Sequence, residues 1–239
     1  KYSGDSLQGS YLAGVYYPDK TRVGWWKNGY PEYFAKIVNS VNWIGLNITV
    51  DGEELDLANC TLQNFERRLN MKTGVLTRTA EVVTANGAEL ALKSTRFVSL
   101  TDPDAGLIQY EITTISAASI IVESYLDGSV TNEDSNYDEA FCFEVSRVSN
   151  TKVNNLTMET RKTGFHASAA AKTTVRTNGI VVSADSAAES EGYVSQRFEA
   201  NVEAGNRLVI NKYVSIQVSL YEEKENLSTK AIRRAEELS

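Results

Sequence analysis

Between residues 106 and 114 the chain reads G-L-I-Q-Y-E-I-T-T, so that Ile108, Tyr110 and Ile112 alternate with Gln109, Glu111 and Thr113. A period of two is the signature of a strand with one face on a core and the other toward water. Runs of the same kind recur at 44–50, 89–100, 119–126, 172–184, 193–202 and 207–218, many of them rich in Val, Ile, Thr, Tyr or Phe, which suit a pleated, half-buried surface. Between them lie Asp51-Gly52, Asn86-Gly87, Asn178-Gly179 and Ala204-Gly205-Asn206. Such pairs tolerate the positive φ that tight hairpins demand, so the flanking strands should be antiparallel neighbours. Many short strands with frequent turns predict an all-β sandwich. From Tyr221 the period changes: YEEKENLSTKAIRRAEELS is charged and spaces Leu227, Ala231, Ala235 and Leu238 as a helix does. The chain thus divides into a β domain, 1–220, and a helical segment, 221–239, which is either a short packing helix or the start of a connector. Only Pro18, Pro31 and Pro103 occur, and no linker-like stretch splits the β region.

Composition narrows the function. With 239 residues, 42% hydrophobic and 23% charged, the chain has enough apolar material for a large core but no run near the roughly 20 residues that a spanning helix needs. A net charge of -7 argues against nucleic acid, whose binders concentrate basic residues on one face. Cys60 and Cys142 have neither a C-x-x-C pattern nor metal-ligand spacing and are expected to be free, reduced and partly buried. His166, the single histidine, is expected on the surface or in a loop; alone it makes neither a triad nor a zinc site. The start, Lys1-Tyr-Ser-Gly-Asp, has no apolar signal core and no Met, as though a longer chain had been cut.

Two stretches carry candidate chemistry. The first is the loop D-G-S-V-T-N-E-D-S-N-Y-D-E over 127–139, holding Asn132, Glu133, Asp134, Asn136, Tyr137 and Asp138. Carboxylate and amide oxygens are what calcium takes, yet Gly128 directly follows the first Asp, unlike the EF-hand pattern. No metal is assigned. A solvated rim loop, or a loop reaching another domain or a ligand, fits better. The second stretch, VGWWKNGYPEYFAKIVNSVNW over 23–43, holds Trp25, Trp26, Tyr30 and Trp43. Aromatic faces stack on sugars, but tryptophans bury large areas wherever they sit, and packing outweighs a sugar platform. If extended, Trp25 and Trp26 would point to opposite faces. No carboxylate pair is placed across a cleft by the sequence, and G-x-S-x-G, P-loop and G-x-G-x-x-G patterns are absent. No catalytic residue is assigned.

At 2–48, and again at NMKTGVLTR (70–78), TRFVSL (95–100) and the 127–139 loop, the wording resembles the N-terminal domain of glycoside hydrolase family 65. The likeness thins over 145–202. It implies an all-β, large antiparallel β-super-sandwich of galactose mutarotase-like type that ends in the start of a C-terminal linker helix. Beyond it the family carries an (α/α)6 catalytic barrel and a small C-terminal β-sheet domain, and its members are commonly dimeric. By this resemblance a short leading segment with an N-G-Y-x-G pattern and the whole barrel lie outside the sequence. The implied chemistry is cytoplasmic phosphorolysis of a disaccharide, without cofactor or metal and with inorganic phosphate as co-substrate. The first forty-eight residues favour the maltose-cleaving members, which invert the anomeric centre, over those acting on trehalose, kojibiose or nigerose. The glutamate acid belongs to the barrel, so the chain should be inactive alone. Two roles stay open: a noncatalytic domain packing on the barrel, and an independent carbohydrate-binding module.

Overall fold

A computed structural model describes residues 9–239, with the side chain of Trp26 outside the description. Its strands, in chain order, are β1 (Tyr11–Lys20), β2 (Tyr33–Asn39), β3 (Leu46–Val50), β4 (Glu53–Glu54), β5 (Thr61–Asn70), β6 (Val75–Val83), β7 (Glu89–Val98) and β8 (Ala105–Thr114). There follow β9 (Ala118–Asp127), β10 (Cys142–Ser149), β11 (Asn154–Thr160), β12 (His166–Thr177), β13 (Ile180–Val182), β14 (Ser186–Ser190), β15 (Tyr193–Val202) and β16 (Arg207–Val218). The helix α1 (Leu227–Glu237) closes the chain, after a 3-10 turn at Lys224–Asn226.

A nine-stranded antiparallel sheet runs β10-β11-β12-β16-β8-β7-β6-β5, with β13 paired to β12; a five-stranded one runs β14-β15-β9-β3-β4; β1 and β2 form a separate hairpin. The core lies between the two larger sheets. Ile48, Val50, Ile120, Val122 and Phe198 from the smaller meet Val82, Leu90, Leu92, Ile112 and Ile210 from the larger. The alternation expected in β8 is obeyed, with Ile108, Tyr110 and Ile112 buried. On the outer face, Glu111 pairs with Lys93 at 3.3 Å and with Arg207 at 2.7 Å across adjacent strands. A slip of one residue would drive those charges into the core.

The turn chemistry is met at two hairpins. Asp51 and Gly52 have φ of 49° and 83°, and Asn178 and Gly179 have 48° and 81°, the left-handed pair of a two-residue turn. At Asn86-Gly87 only the glycine is left-handed, with φ of 88°; Gly87 N donates to Thr84 O at 2.9 Å and Thr84 N to Ala88 O at 3.0 Å, which makes a longer loop than the dipeptide predicts.

The run expected over 172–184 is two strands, β12 beginning earlier at His166 and β13 following the Asn178-Gly179 turn. The early part of β12, A-S-A-A-A, does not alternate because both of its faces are covered. One lies on the core, and Ala170 on the other packs against Ala231 and Ala235 of α1. His166 is accordingly not in a loop: it opens β12 and its Nε2 lies 2.7 Å from Glu159 Oε2 on β11. The helix starts at Leu227 rather than near Tyr221, and buries Leu227, Ala231 and Ala235, with Leu238 as its C-cap. Ser228 Oγ donates to Asn155 Oδ1 at 2.7 Å, and Arg234 forms an ion pair with Asp102. Small residues at the contact let helix and sheet approach closely. Ala231→Leu is therefore expected to cost about 1–3 kcal/mol through overpacking, read as a lower thermal midpoint, while the same change at exposed Arg233 should leave the midpoint nearly unchanged. No helix among the described residues is long and apolar enough to cross a membrane.

Candidate functional site

The loop after β9 does not hang free at the rim; it is laid against the β1–β2 hairpin. Asn132 holds its centre. It is 4% exposed, its Oδ1 accepts from Asn39 N at 2.8 Å, and its Nδ2 donates to Ile37 O at 2.9 Å and to Asp134 Oδ1 at 3.2 Å. In this way one amide side chain satisfies backbone groups of β2 that the loop would otherwise bury. Asn136 continues the seam, its N donating to Asp19 Oδ2 at 2.9 Å and its Nδ2 to Lys20 O at 3.1 Å. Tyr137 O–H accepts from Val23 N at 3.1 Å and donates to Thr21 O at 3.4 Å.

Three of the carboxylates of the loop are likewise committed, those of Asp127, Asp134 and Glu139. Lys36 Nζ lies 3.1 Å from the buried Asp19 Oδ2 and 3.4 Å from Asp134 Oδ2, and also donates to Asp134 O. Glu139 Oε1 accepts from Tyr17 O–H at 2.6 Å, and its Oε2 lies 2.7 Å from Lys162 Nζ. Tyr17 stacks on Phe141 with ring centroids 4.0 Å apart. Burial, reinforced by Glu139, pushes the Tyr17 hydroxyl up to about 12. Burial acts to raise Glu139 as well, but Lys162, Tyr17 and Arg161 outweigh it and hold that carboxyl below its usual range. Asp127 accepts from Ser129 N at 2.8 Å and from Ser129 Oγ at 2.6 Å. Asp19, Asp134 and Glu139 thus serve the fold, and among the described residues no three His, Cys, Asp or Glu side chains gather as a metal site requires.

The aromatic stretch divides. Trp43 is 8% exposed and belongs to the core with Ile108, Leu126 and Val214; Gly106 leaves room for its indole. Trp25 and Tyr30 stand at the tip of the hairpin, 40% and 50% exposed, with rings 5.8 Å apart, and Tyr30 meets Phe34 at 6.0 Å. The Arg22 guanidinium lies 5.9 Å from the Trp25 ring. Residues Trp25–Asn28 form a 3-10 turn, so the alternation of an extended chain does not apply to Trp25 and Trp26; the Trp26 side chain lies outside the described residues. Through Tyr137, which bonds Thr21 and Val23, the tip and the loop become one body. It presents Trp25, Tyr30, Glu133, Asp134, Tyr137 and Asp138 outward. Trp43 is no part of it. Cys60 and Cys142 are free, and burial raises the Cys142 thiol to about 11, which makes it a poor nucleophile.

One concavity went unforeseen. A cavity of about 500 Å³ at the β3 edge is lined by Arg67, Arg78 and Arg96 of the larger sheet and by Tyr125, Asp127 and Tyr193 of the smaller one. Its arginines lie on three different strands, so only the register brings them together.

A super-sandwich with one helix docked on its larger sheet, and a loop laid against a separate hairpin, defines a large all-β domain. The chain belongs to the glycosyl hydrolase family 65, N-terminal domain family, whose sequence model matches residues 1–239. It is 40% identical over 238 residues to the maltose phosphorylase of Bacillus subtilis (strain 168), an alignment that takes in 96% of this chain and 30% of that protein. The kojibiose phosphorylase of Caldanaerobacter subterraneus subsp. tengcongensis is 33% identical over 125 residues, 52% of this chain and 15% of that protein. The alpha,alpha-trehalose phosphorylase of Thermoanaerobacter brockii is 30% identical over 146 residues, 58% of this chain and 18% of that protein. The chain thus spans less than a third of the length of these relatives. A solved structure described as a kojibiose phosphorylase from the human microbiome superposes on all of this chain with a TM-score of 0.83 at 22% identity, and the match covers 31% of that structure's chain. The antiparallel super-sandwich ending in a helix, expected from the sequence, is the fold observed.

Proposed function

We propose that this chain is the noncatalytic N-terminal domain of a phosphorylase that splits maltose with inorganic phosphate into glucose and β-glucose 1-phosphate. The observation that supports this reading is the 40% identity to a maltose phosphorylase over 96% of the chain, where the kojibiose and trehalose relatives align over 52% and 58%. The reaction belongs to an (α/α)6 domain in the same polypeptide. There a glutamic acid protonates the leaving glycosidic oxygen, and phosphate takes the place of the attacking water of an inverting hydrolase. The β domain packs on that barrel, and residues 221–239 lead into it. A groove lined by Tyr11, Trp43, Val98 and Tyr221 lies on the β domain, and Val98, Leu100 and Tyr221 are exposed apolar side chains of the kind that mark a docking face. The loop-on-hairpin body supports the rim of the active site, offering Trp25, Tyr30, Glu133 and Asp138 to it. The assembled enzyme is a cytoplasmic homodimer.

Calorimetric titration of the 239-residue chain with maltose tests the division of labour. The expected result is no saturable heat. Binding in the millimolar range or tighter would transfer the role to an independent carbohydrate-binding module, with the Trp25–Tyr30 tip as its platform. Turnover of maltose and phosphate by the chain alone would overturn both.

A further inference from the structure

We infer that the cavity at the β3 edge binds a phosphorylated sugar, with Arg67, Arg78 and Arg96 receiving the phosphate and Tyr125, Tyr193 and Asp127, at its rim, receiving the sugar. Register places the arginines together. Arg67 on β5 is directly opposite Arg78 on β6, and Arg96 on β7 is opposite Leu76, two residues from Arg78 and on the same face. Like charges directly opposite on neighbouring strands repel and destabilise a sheet. Elsewhere this sheet compensates its charges, as Glu111 does between Lys93 and Arg207. Here, among the described residues, no carboxylate forms an ion pair with any of the three. Arg78 faces the hydroxyl of the buried Tyr110 instead, and burial together with Arg78 and Arg67 lowers the pKa of Arg96. A repulsive cluster kept in the wall of a cavity, in a chain whose net charge is -7, is a concentrated positive field that an anion would relieve. Guanidinium forks match phosphate oxygens two at a time, and partial burial strengthens that match.

The rim of the cavity, formed on the outer face of the smaller sheet where β9 and β15 reach the β3 edge, has different chemistry. Tyr125 and Tyr193 stack with ring centroids 5.4 Å apart and planes at 26°, and Tyr193 O–H donates to Glu123 Oε1 at 3.0 Å. A side chain at Gly45 would collide with the Tyr125 ring, so the absence of one there sets where the ring lies. Behind it Lys212 Nζ donates to Gly45 O at 2.8 Å and to Tyr125 O at 2.6 Å, tying the rim to the larger sheet. Fixed aromatic faces with a carboxylate beside them suit the C–H face and hydroxyls of a pyranose. The volume of about 500 Å³ is within the range of small-ligand pockets.

The inference concerns this domain alone and stands apart from the maltose reading. Its test is calorimetric and thermal-shift titration of the 239-residue chain with glucose 1-phosphate, inorganic phosphate and glucose in turn, at low and at high sodium chloride. Saturable binding of glucose 1-phosphate is expected, weaker binding of phosphate, none of glucose, and loss of affinity as salt rises. The R67Q/R96Q double variant should bind glucose 1-phosphate at least about tenfold more weakly, yet melt no lower than the native chain when empty, because a repulsion has been removed. Arg67→Gln, on the exposed edge strand β5, should weaken binding in the same direction without risk to folding. Absence of saturable binding by both phosphate compounds overturns the site, as does full affinity in the double variant. Equal affinity for phosphate and glucose 1-phosphate overturns the role of the tyrosine rim.

Discussion

Asn132→Ala is expected to destabilise the loop-on-hairpin body by about 2–4 kcal/mol, more than any other single truncation within the 127–139 loop. The reason is local. The amide satisfies Asn39 N and Ile37 O, and its loss leaves both backbone groups enclosed; each buried group without a partner costs about 1–3 kcal/mol. Truncating Tyr137, half of whose ring is already in water, deletes weaker contacts, and Tyr137→Ala should cost less. Amide exchange distinguishes a local from a global loss: in Asn132→Ala, protection should fall over β1, β2 and 128–141 while β8, β9, β15 and β16 keep theirs. Uniform loss across the chain, or none, would sink this account of the loop. The expectation also revises how the loop is tested in a full-length enzyme. Asn136 and Tyr137 look like free recognition residues in the sequence, but both bond to the hairpin. Changes in turnover after Asn136→Ala or Tyr137→Ala therefore need a stability measurement beside them, whereas Glu133→Ala and Trp25→Ala probe the outward face more cleanly.

How much was legible in the sequence follows from which faces are wet. β8, β9, β15 and β16 lie in the middle of their sheets with one face on the core, and their period of two is plain. β5 is an edge strand exposed along its whole length; T-L-Q-N-F-E-R-R-L-N has no buried face to impose alternation, and nothing in it announces a strand. β12 fails in the opposite way, its alanines being covered on both sides. α1 was legible because Leu227, Ala231 and Ala235 recur at helical spacing against a charged remainder. Of the candidate residues, Trp43 and Trp25 could not be told apart by composition, since a tryptophan looks the same in a core and at a tip. What separates them is the fold around each: the bridge between Asn42 and Asp127 sets Trp43 beside the core, whereas Trp25 lies in the turn between β1 and β2. The arginine cavity left no sequence signal at all. Arg67, Arg78 and Arg96 are ordinary charges in one dimension, and only the pairing of β5 with β6 and of β6 with β7 makes them a cluster.

Lys212→Met is expected to abolish a rise of stability with pH that the native chain shows between about pH 7 and pH 8.5. Lys212 is fully buried on β16, and burial lowers its ammonium from 10.5 to about 7. Above that value the folded chain releases a proton that the unfolded chain keeps up to its ordinary pKa. The unfolded state thus binds more protons throughout the window, and stability climbs with pH by at most about 1.4 kcal/mol per unit, or about 2 kcal/mol across the window. Gly45 O and Tyr125 O pull the other way, because two carbonyl oxygens at 2.8 and 2.6 Å favour the charged form; the measured slope should fall below that ceiling. Above this window the buried thiol of Cys142, raised by burial, contributes the opposite sign, which is why the comparison stops near pH 8.5. At pH 6 two effects nearly cancel in Lys212→Met. Removing a buried charge is worth roughly 5 kcal/mol on the pKa shift, and losing two charge-assisted hydrogen bonds costs about 3–6 kcal/mol. Lys212→Ala has no such compensation, since it also opens a cavity between the sheets, and should lose about 3–5 kcal/mol. Urea unfolding at a series of pH values measures all three chains. A slope that persists unchanged in Lys212→Met would show that the rise belongs to another group, and that the lysine joining the two sheets remains charged in the folded chain.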